Sequence, residues 1–515
     1  MPKFNTGFWV LVSTILGSCM SYIDATVIYI ALPVVQQDLN ATVVQAQWIV
    51  EAYVLFQAAL ILVGGTLGDR LGRRRVFAVG VVIFSIASAL CGLATTPGFL
   101  IGARILQALG GALLGPSSLA IITAYFDDER RGAAFGAWSG ASAIALALGP
   151  AVGGLIVQYA SWHWLFFINV PVGILTVLVL FWKVPESRDE KAPSKLDWRG
   201  ASLATLGLGM FVFGFIESAN YGLGSPIVLG SIFLGAAVFA LFLYTQRITE
   251  NPLLPLDLFK SRTFSGANLI TLLMYCAVSG VIFFLPFNLI QIQGYDIVMA
   301  GLGFLPFPLI VGALSGWAGG LVARYGSKLP LTIGPLVVAA GLVLFGQAGL
   351  GGSFWTTFFP AVIVLAFGMT LVIAPLTTTV MGAAPKRLSG TASGINTAVN
   401  STANVLAVAI LGVVALNVFI GSVERRVDPA QFTPQALSEI RAETKNLANA
   451  SAPASLPPAQ RQEIDAVYDQ AFVDAFQIVM YVCAGLVATA SLVAQLFVDG
   501  KPKHAPTTEA LPRMH

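Results

Sequence analysis

The sequence predicts an all-α protein that crosses a membrane many times, and three observations carry that reading. Of 515 residues, 56% are apolar and only 10% are charged, 28 basic against 25 acidic. Mean hydropathy is +0.81. Fourteen apolar runs, each long enough to span a bilayer, follow one another along the chain. A soluble domain carries about 25% charged residues to coat its surface. Length alone corresponds to roughly three soluble domains, yet the charges present do not cover even one. A cytosolic enzyme, a disordered chain and a secreted disulfide scaffold are excluded. Cys19, Cys91, Cys276 and Cys483 all lie in apolar runs, so no disulfide framework is implied. Three histidines leave little room for a metal site, and a net charge of +3 is too small to suggest nucleic-acid binding.

A helix crosses the hydrocarbon core with about 20 mostly apolar residues. By that ruler the spans fall near 8–33, 47–68, 76–95, 98–125, 133–158, 163–183, 200–220, 226–246, 264–290, 298–323, 330–350, 355–381, 391–421 and 473–498. The first follows Lys3 and contains a lipobox-like Leu16-Gly17-Ser18-Cys19. It continues to Pro33 and further spans follow, so it reads as a span, not a cleaved signal. Basic residues set the orientation. With a cytoplasmic N-terminus, the inner segments hold Lys3; Arg70, Arg73, Arg74, Arg75; Arg130, Arg131; Lys183, Arg188, Lys191, Lys195, Arg199; Arg247, Lys260, Arg262; Arg324, Lys328; Lys386, Arg387; and Lys501, Lys503, Arg513. These are 22 of the 28. The short outer loops hold none. Arg425, Arg426, Arg441, Lys445 and Arg461 lie in one long outer segment, where the positive-inside bias is relaxed. Arg104 alone falls inside a span. A wrong span count would scramble this alternation. Fourteen helices with both ends cytoplasmic, in a bacterial inner membrane, are expected.

Gly319-Gly320-Leu321-Val322-Ala323-Arg324-Tyr325-Gly326 echoes Gly65-Thr66-Leu67-Gly68-Asp69-Arg70-Leu71-Gly72 at an offset of 254 residues. Gly390-Thr391-Ala392-Ser393-Gly394 echoes Gly132-Ala133-Ala134-Phe135-Gly136 at 258. Two echoes at nearly one offset point to a duplicated six-helix unit. The expected organisation is a six-helix bundle over 1–183, a cytoplasmic linker with two inserted helices over 184–263, a second six-helix bundle over 264–498 and a tail over 499–515, read as disordered. The outer segment 422–472 is rich in Ala, Pro, Gln and Glu. Thr433-Pro434 opens a short helix to Ala448, and Pro457-Pro458 opens another that runs into the last span. A solvated spacer is favoured for this segment over a lid or docking role.

Ionisable groups inside a span cost about 2.5–3.5 kcal/mol each on the insertion scale and are functional candidates by default. Asp24, Glu51, Arg104 and Glu217 stand out. At 1.5 Å rise per residue, Asp24 lies about 14 Å, Arg104 about 9 Å and Glu51 about 6 Å below the outer face. Three groups from three helices of one half thus share the outer half of the membrane, as residues around a hydrated cavity do. Burial and a neighbouring cation pull a carboxyl's titration in opposite directions, which suits Asp24 and Arg104 to proton coupling and Asp24 and Glu51 to substrate binding. A fixed Asp–Arg pair that merely holds the bundle is the other role. Glu217, near the outer end of an inserted helix, reads as interfacial.

Tyr22-Ile23-Asp24-Ala25-Thr26-Val27-Ile28-Tyr29-Ile30-Ala31-Leu32-Pro33 resembles the first-helix signature of the fourteen-helix drug:proton antiporters (the EmrB/QacA type) of the major facilitator superfamily. Gly65-x-Leu67-x-Asp69-Arg70-x-Gly72-Arg73-Arg74 resembles the superfamily's loop motif between helices two and three, and Arg104-x-x-Gln107-x-x-Gly110 its fourth-helix motif. Gly136, then Gly149-Pro150-x-x-Gly153-Gly154, resembles the fifth-helix antiporter motif, and Trp162 to Pro171 the loop and helix start that follow. Three departures stand out: Ala145 replaces a usual glycine, His163 a common arginine, and Ala323 the acid of the second loop motif.

Asp69 with Arg70 and Arg73 sits where a carboxylate can accept from guanidinium groups or a helix N-terminus in one conformation and release them in another. The same arginines also serve topology. Gly149, Pro150, Gly153 and Gly154 permit close approach and bending, either for rocking of one bundle on the other or for tight packing alone. No Gly-x4-Gly-Lys-Ser/Thr phosphate loop, Gly-x-Ser-x-Gly elbow or His-Glu-x-x-His motif is found. The expectation is a non-enzymatic, proton-coupled multidrug exporter for lipophilic cations, without cofactor or metal. A dedicated exporter of an endogenous lipid, metabolite or antibiotic is the alternative, and a non-transporting sensor a more distant one. Protons, a small lipophilic substrate and the lipid bilayer are the expected partners; nothing in the chain assigns an envelope adaptor.

Overall fold

The computed structural model describes residues 3–126, 128–188, 197–250, 252–351, 353–384 and 389–499. Among them, 14 helices are long and apolar enough to cross a membrane. In chain order these are α1 (Lys3–Asp38), α2 (Val43–Leu71), α3 (Arg73–Gly92), α4 (Pro97–Tyr125), α5 (Asp128–Tyr159), α6 (Trp164–Lys183), α7 (Trp198–Tyr221), α8 (Pro226–Ile248) and α9 (Arg262–Ile292, closing on a π turn). There follow α10 (Ile297–Phe304 continued by Pro306–Tyr325), α11 (Lys328–Gly346), α12 (Phe354–Gly382), α13 (Ser389–Arg426) and α14 (Pro458–Phe497). The chain starts on what we term the near face; α1 ends on the far face.

Local chemistry sets the helix ends. Thr42 and Gln45 form a reciprocal capping box at α2, with Gln45 N donating to Thr42 Oγ1 at 3.3 Å and Thr42 N to Gln45 Oε1 at 2.9 Å. Thr96 caps α4 ahead of Pro97, and Asp197 caps α7 by accepting from Gly200 N at 2.8 Å. The turn between α2 and α3 needs a φ of +110° at Gly72, a value that side-chain-bearing residues rarely adopt.

Helices α1–α6 pack among themselves, as do α9–α14. One crossing recurs in both groups. Gly80 of α3 meets Gly110 of α4, and Gly334 of α11 meets Gly368 of α12, each pair so close that added Cβ atoms would press on the facing backbone. Gly334 follows Gly80 by 254 residues and Gly368 follows Gly110 by 258, the offsets of the two sequence echoes. The pair α7–α8 interlocks through Gly207 and Gly235, and α7 lies against both α2 and α13. Helix α8 is peripheral, with only 17% of its most apolar stretch buried.

The far segment between α13 and α14 differs from the solvated spacer expected. Its helix starts at Pro434 under a Thr433 cap as read, but ends at Glu443 and passes into a 3-10 turn, Thr444–Asn449. Ala436, Ile440 and Leu447 form a buried apolar stripe, Tyr468 Oη donates to Ile440 O at 2.9 Å, and Gln36 Nε2 reaches Asn446 O at 3.5 Å. The segment is docked over both helix groups because that stripe has hydrocarbon to cover. The side chains of Asp69, Ala323, Arg130 and Arg131, and residues 191, 195, 386, 387 and 500–515, lie outside the described residues.

A Cβ on Gly235 would stand 2.5 Å from Phe211 N, a backbone atom that cannot yield. Gly235→Val is expected to destabilise the protein by about 1–3 kcal/mol, read as a lower thermal midpoint in detergent, whereas Gly230→Ala on the same helix, with open space at its Cβ, leaves it unchanged.

Candidate functional site

The most strongly polar place in the interior of the first six helices is a charged network. Asp24 projects from the middle of α1 and is 1% exposed; Arg104 and Gln107 come from α4 and are fully buried. Arg104 Nη1 donates to Asp24 Oδ2 at 2.5 Å and to Gln107 Oε1 at 2.7 Å, and Arg104 Nε to the Ile49 carbonyl of α2 at 3.2 Å. Gln107 Nε2 donates to Asp24 Oδ1 at 2.8 Å and to Ser88 Oγ of α3 at 2.9 Å; Asn169 of α6 donates to the same hydroxyl at 3.4 Å. The guanidinium lies 4.3 Å from the centre of the Tyr53 ring, a cation–π contact that strengthens when desolvated. Tyr53 Oη in turn meets Ser21 Oγ at 2.9 Å and Gln57 Nε2 at 3.1 Å. Both carboxylate oxygens are thus satisfied, and the pair is neutral as a unit.

Asp24 and Arg104 are therefore brought together as their depths suggested, but not around an open hydrated cavity. Gln107, Ser88 and Asn169 fill the space between α1, α3, α4 and α6. Glu51 stays apart: it is 1% exposed, and its Oε2 has no hydrogen-bond partner. Glu217 is interfacial as read, taking Trp48 Nε1 at 3.1 Å and Asn220 Nδ2 at 2.8 Å, which fastens α7 to α2.

A second set of polar groups escaped the sequence reading. In the second half Asn396 Nδ2 donates to Thr271 Oγ1 at 2.7 Å and to Asn268 Oδ1 at 3.2 Å, while Ser279 Oγ donates to Asn404 Oδ1 at 2.5 Å. Asn396, Asn400 and Asn404 recur every four residues and so share one stripe of α13; that period is the signal that would have found them. This half offers neutral amides where the first offers charges.

The two halves meet toward the far face. Gln47 Nε2 of α2 donates to Val408 O of α13 at 3.2 Å, and Gln291 Nε2 to Pro33 O at 3.2 Å. A Cβ on Gly154 would stand 2.8 Å from Ile297 O of α10, and one on Gly301 2.5 Å from Pro150 O. Gly149 and Gly153 face α1 instead, against Thr26 and Val27. Beneath this seam lies an almost wholly apolar cavity of about 100 Å³, with Tyr29 and Pro150 from one half and Pro286, Leu289, Phe304 and Phe307 from the other. On the near face Arg73 Nη1 reaches Ala120 O of α4 at 3.4 Å, and Arg70 is exposed. Glu186, beyond α6, accepts from Arg74 N at 3.0 Å and Arg75 N at 3.2 Å. It thereby caps the N-terminus of α3, a role the sequence reading had weighed for Asp69.

Two matched helical halves with a cavity between them and a charged network inside one define a polytopic solute-transporter build. The sequence profile of the Major Facilitator Superfamily matches residues 14–408. The chain belongs to that superfamily. The tetracenomycin C resistance and export protein of Streptomyces glaucescens is 35% identical over 413 residues, 78% of this chain and 75% of that one. Multidrug resistance protein Stp of Mycobacterium tuberculosis is 30% identical over 507 residues, 96% and 92% of the two chains. Among solved structures, the inward-facing, occupied bacterial homolog of the human lysosomal transporter Spinster superposes with a TM-score of 0.69 at 18% identity, covering 96% of this chain and 97% of that one.

Removing Arg104 strands the Asp24 charge. Arg104→Met is expected to destabilise by about 3–5 kcal/mol and Gln107→Leu by about 1–3 kcal/mol. In thermal melts the double variant Asp24→Asn/Arg104→Met should recover much of the first loss; strict additivity would mean that the two side chains do not interact.

Proposed function

We propose that this protein is a proton-coupled efflux transporter for small lipophilic cations that works by alternating access. The observation that carries the reading is the sealed Asp24–Arg104–Gln107 network on α1 and α4, one face away from an apolar cavity that α1 shares with the second half. Asp24 and Arg104 are its proton-coupling pair, and Asp24 with Glu51 supplies the negative charge that draws a cationic substrate. Thr26 and Tyr29 on the cavity side of α1 lie two and five residues from Asp24, so a shift of this helix alters both. Aromatic walls at Tyr29, Phe304 and Phe307 suit a flat, lipophilic cation.

The conformation supports an inward-facing state, with the seam closed at the far ends. Gly154 and Pro150 of α5 form its moving contact, while Gly149 and Gly153 let α5 bear closely on α1. Asp69, Arg70 and Arg73 bias the near gate. The division into 1–183, 184–263, 264–498 and 499–515 belongs to this reading, supported by the packing groups. So does a bacterial inner-membrane location with cytoplasmic termini, supported by the arginines at the near-face turn after α2. The names of the Streptomyces and Mycobacterium relatives describe export and multidrug resistance of those proteins, in line with efflux here.

Reconstitution into liposomes tests the reading. Addition of a lipophilic cationic dye should drive proton movement, and Asp24→Asn should abolish it while leaving the melting profile cooperative. Full pH-dependent exchange by the Asn variant removes Asp24 from the mechanism. Gly154→Leu should raise far-side labelling of a cysteine placed at Val298, which packs against Gly154; unchanged labelling reduces this contact to plain packing.

A further inference from the structure

Beside the Asp24–Arg104 pair stands an intramembrane carboxyl without a counter-charge. Glu51 is buried in α2, its Oε2 has no hydrogen-bond partner, and no cation among the described residues pairs with it. The groups around it are few. Tyr29 of α1 lies within electrostatic reach. Arg104 of α4 is already committed to Asp24, and Cys91 of α3 to Gln107. Glu217 of α7 is held by Trp48, three residues before Glu51. From α13 the facing stretch 404–416 carries no titratable residue. Glu443 and Lys445 belong to the far segment, which meets α2 near Val43, about 12 Å further out by helix rise.

Gln47 lies one turn before Glu51 on the same face of α2. Gln47 donates to Val408 O and abuts Gly412, so this is the face that α13 covers where the two halves close. We propose that Glu51 is a second proton-carrying site, and that its protonation is the condition under which α2 and α13 close at the far end. The inference rests on the proton-driven, alternating-access reading above.

A carboxylate shut away from water without a cation or hydrogen-bond donor is strongly disfavoured. The closed seam therefore accepts Glu51 as the neutral acid. Once α2 and α13 part, far-side water reaches the side chain and the carboxylate is the stable form. One proton from that side binds a carboxylate oxygen, forms an O–H bond and readmits closure; when the seam reopens the same O–H bond breaks and the proton returns to far-side water. A bound cation cancels the charge in the proton's place, so proton and substrate compete for one condition of closure. Asp24 behaves differently, because Arg104 and Gln107 satisfy its charged form in the closed arrangement.

Electron–electron distance measurements test this on the full chain in lipid nanodiscs. Cys19, Cys91, Cys276 and Cys483 are replaced by Ala, and spin labels are placed at Gln37→Cys and Leu350→Cys, exposed positions toward the far face on opposite halves. From about pH 5.5 to about pH 8.5 the long-distance, far-open fraction should rise several-fold. Glu51→Gln and the apolar Glu51→Met should hold it low and flat. Glu51→Asp should restore the response. A native-like response in Glu51→Gln, or none in the parent protein, overturns the inference. A response lost in Asp24→Asn and kept in Glu51→Gln overturns it too, yet leaves proton-driven export standing, since liposome flux judges that separately.

Discussion

A guanidinium and a carboxylate that meet inside a lipid-embedded bundle constrain everything around them. In a medium of low dielectric their attraction is strong, but so is the cost of any lone pair or proton left unmatched. Around Asp24 the first half is organised to leave none. Helix α1 brings Asp24; α4 brings Arg104 and Gln107 one turn apart; α2 brings the Ile49 carbonyl and the Tyr53 ring; α3 brings Ser88 and α6 brings Asn169. Five helices are thereby tied to one polar knot, which makes this half a rigid unit with its charge hidden. In the alternating-access mechanism proposed above, a stiff half is a mechanical requirement as much as an electrostatic one.

The second half repeats the backbone logic without the charge. Gly334 and Gly368 reproduce the close crossing of Gly80 and Gly110, but the interior polarity is made by Asn268, Asn396 and Asn404. Amides accept and donate without demanding a counter-ion, so this half places no electrostatic condition on movement. The seam reflects that asymmetry. The polar contacts that cross it are glutamine against carbonyl, and Gly154 and Gly301 mark where the backbones of the two halves touch. The inserted pair α7–α8 and the docked far segment sit beside or across the seam without closing the cavity beneath it.

Much of this was legible in the residues. Hydropathy and the alternation of basic residues located fourteen spans because hydrocarbon admits only long apolar helices, and that constraint is local to each run. Asp24 and Arg104 announced themselves because charge in a span is rare. Gln107, Ser88 and Asn169 did not, since neutral polar residues are common in membrane helices and acquire meaning only from what they face. The far segment was misjudged for a related reason: its overall composition is that of a spacer, while Ala436, Ile440 and Leu447 form a face only once the helix is built.

The sequence by itself determined the membrane-spanning architecture, the duplicated halves and the identity of the charged groups, because each depends on composition and periodicity within a single helix. Only the tertiary structure decided the pairing. It joined Asp24 to Arg104 and withheld a partner from Glu51; it turned Gly154 toward the opposite half and Gly149 toward its own. Those outcomes depend on helix rotation and crossing, which arise from packing between segments far apart in the chain and leave no mark at any one position.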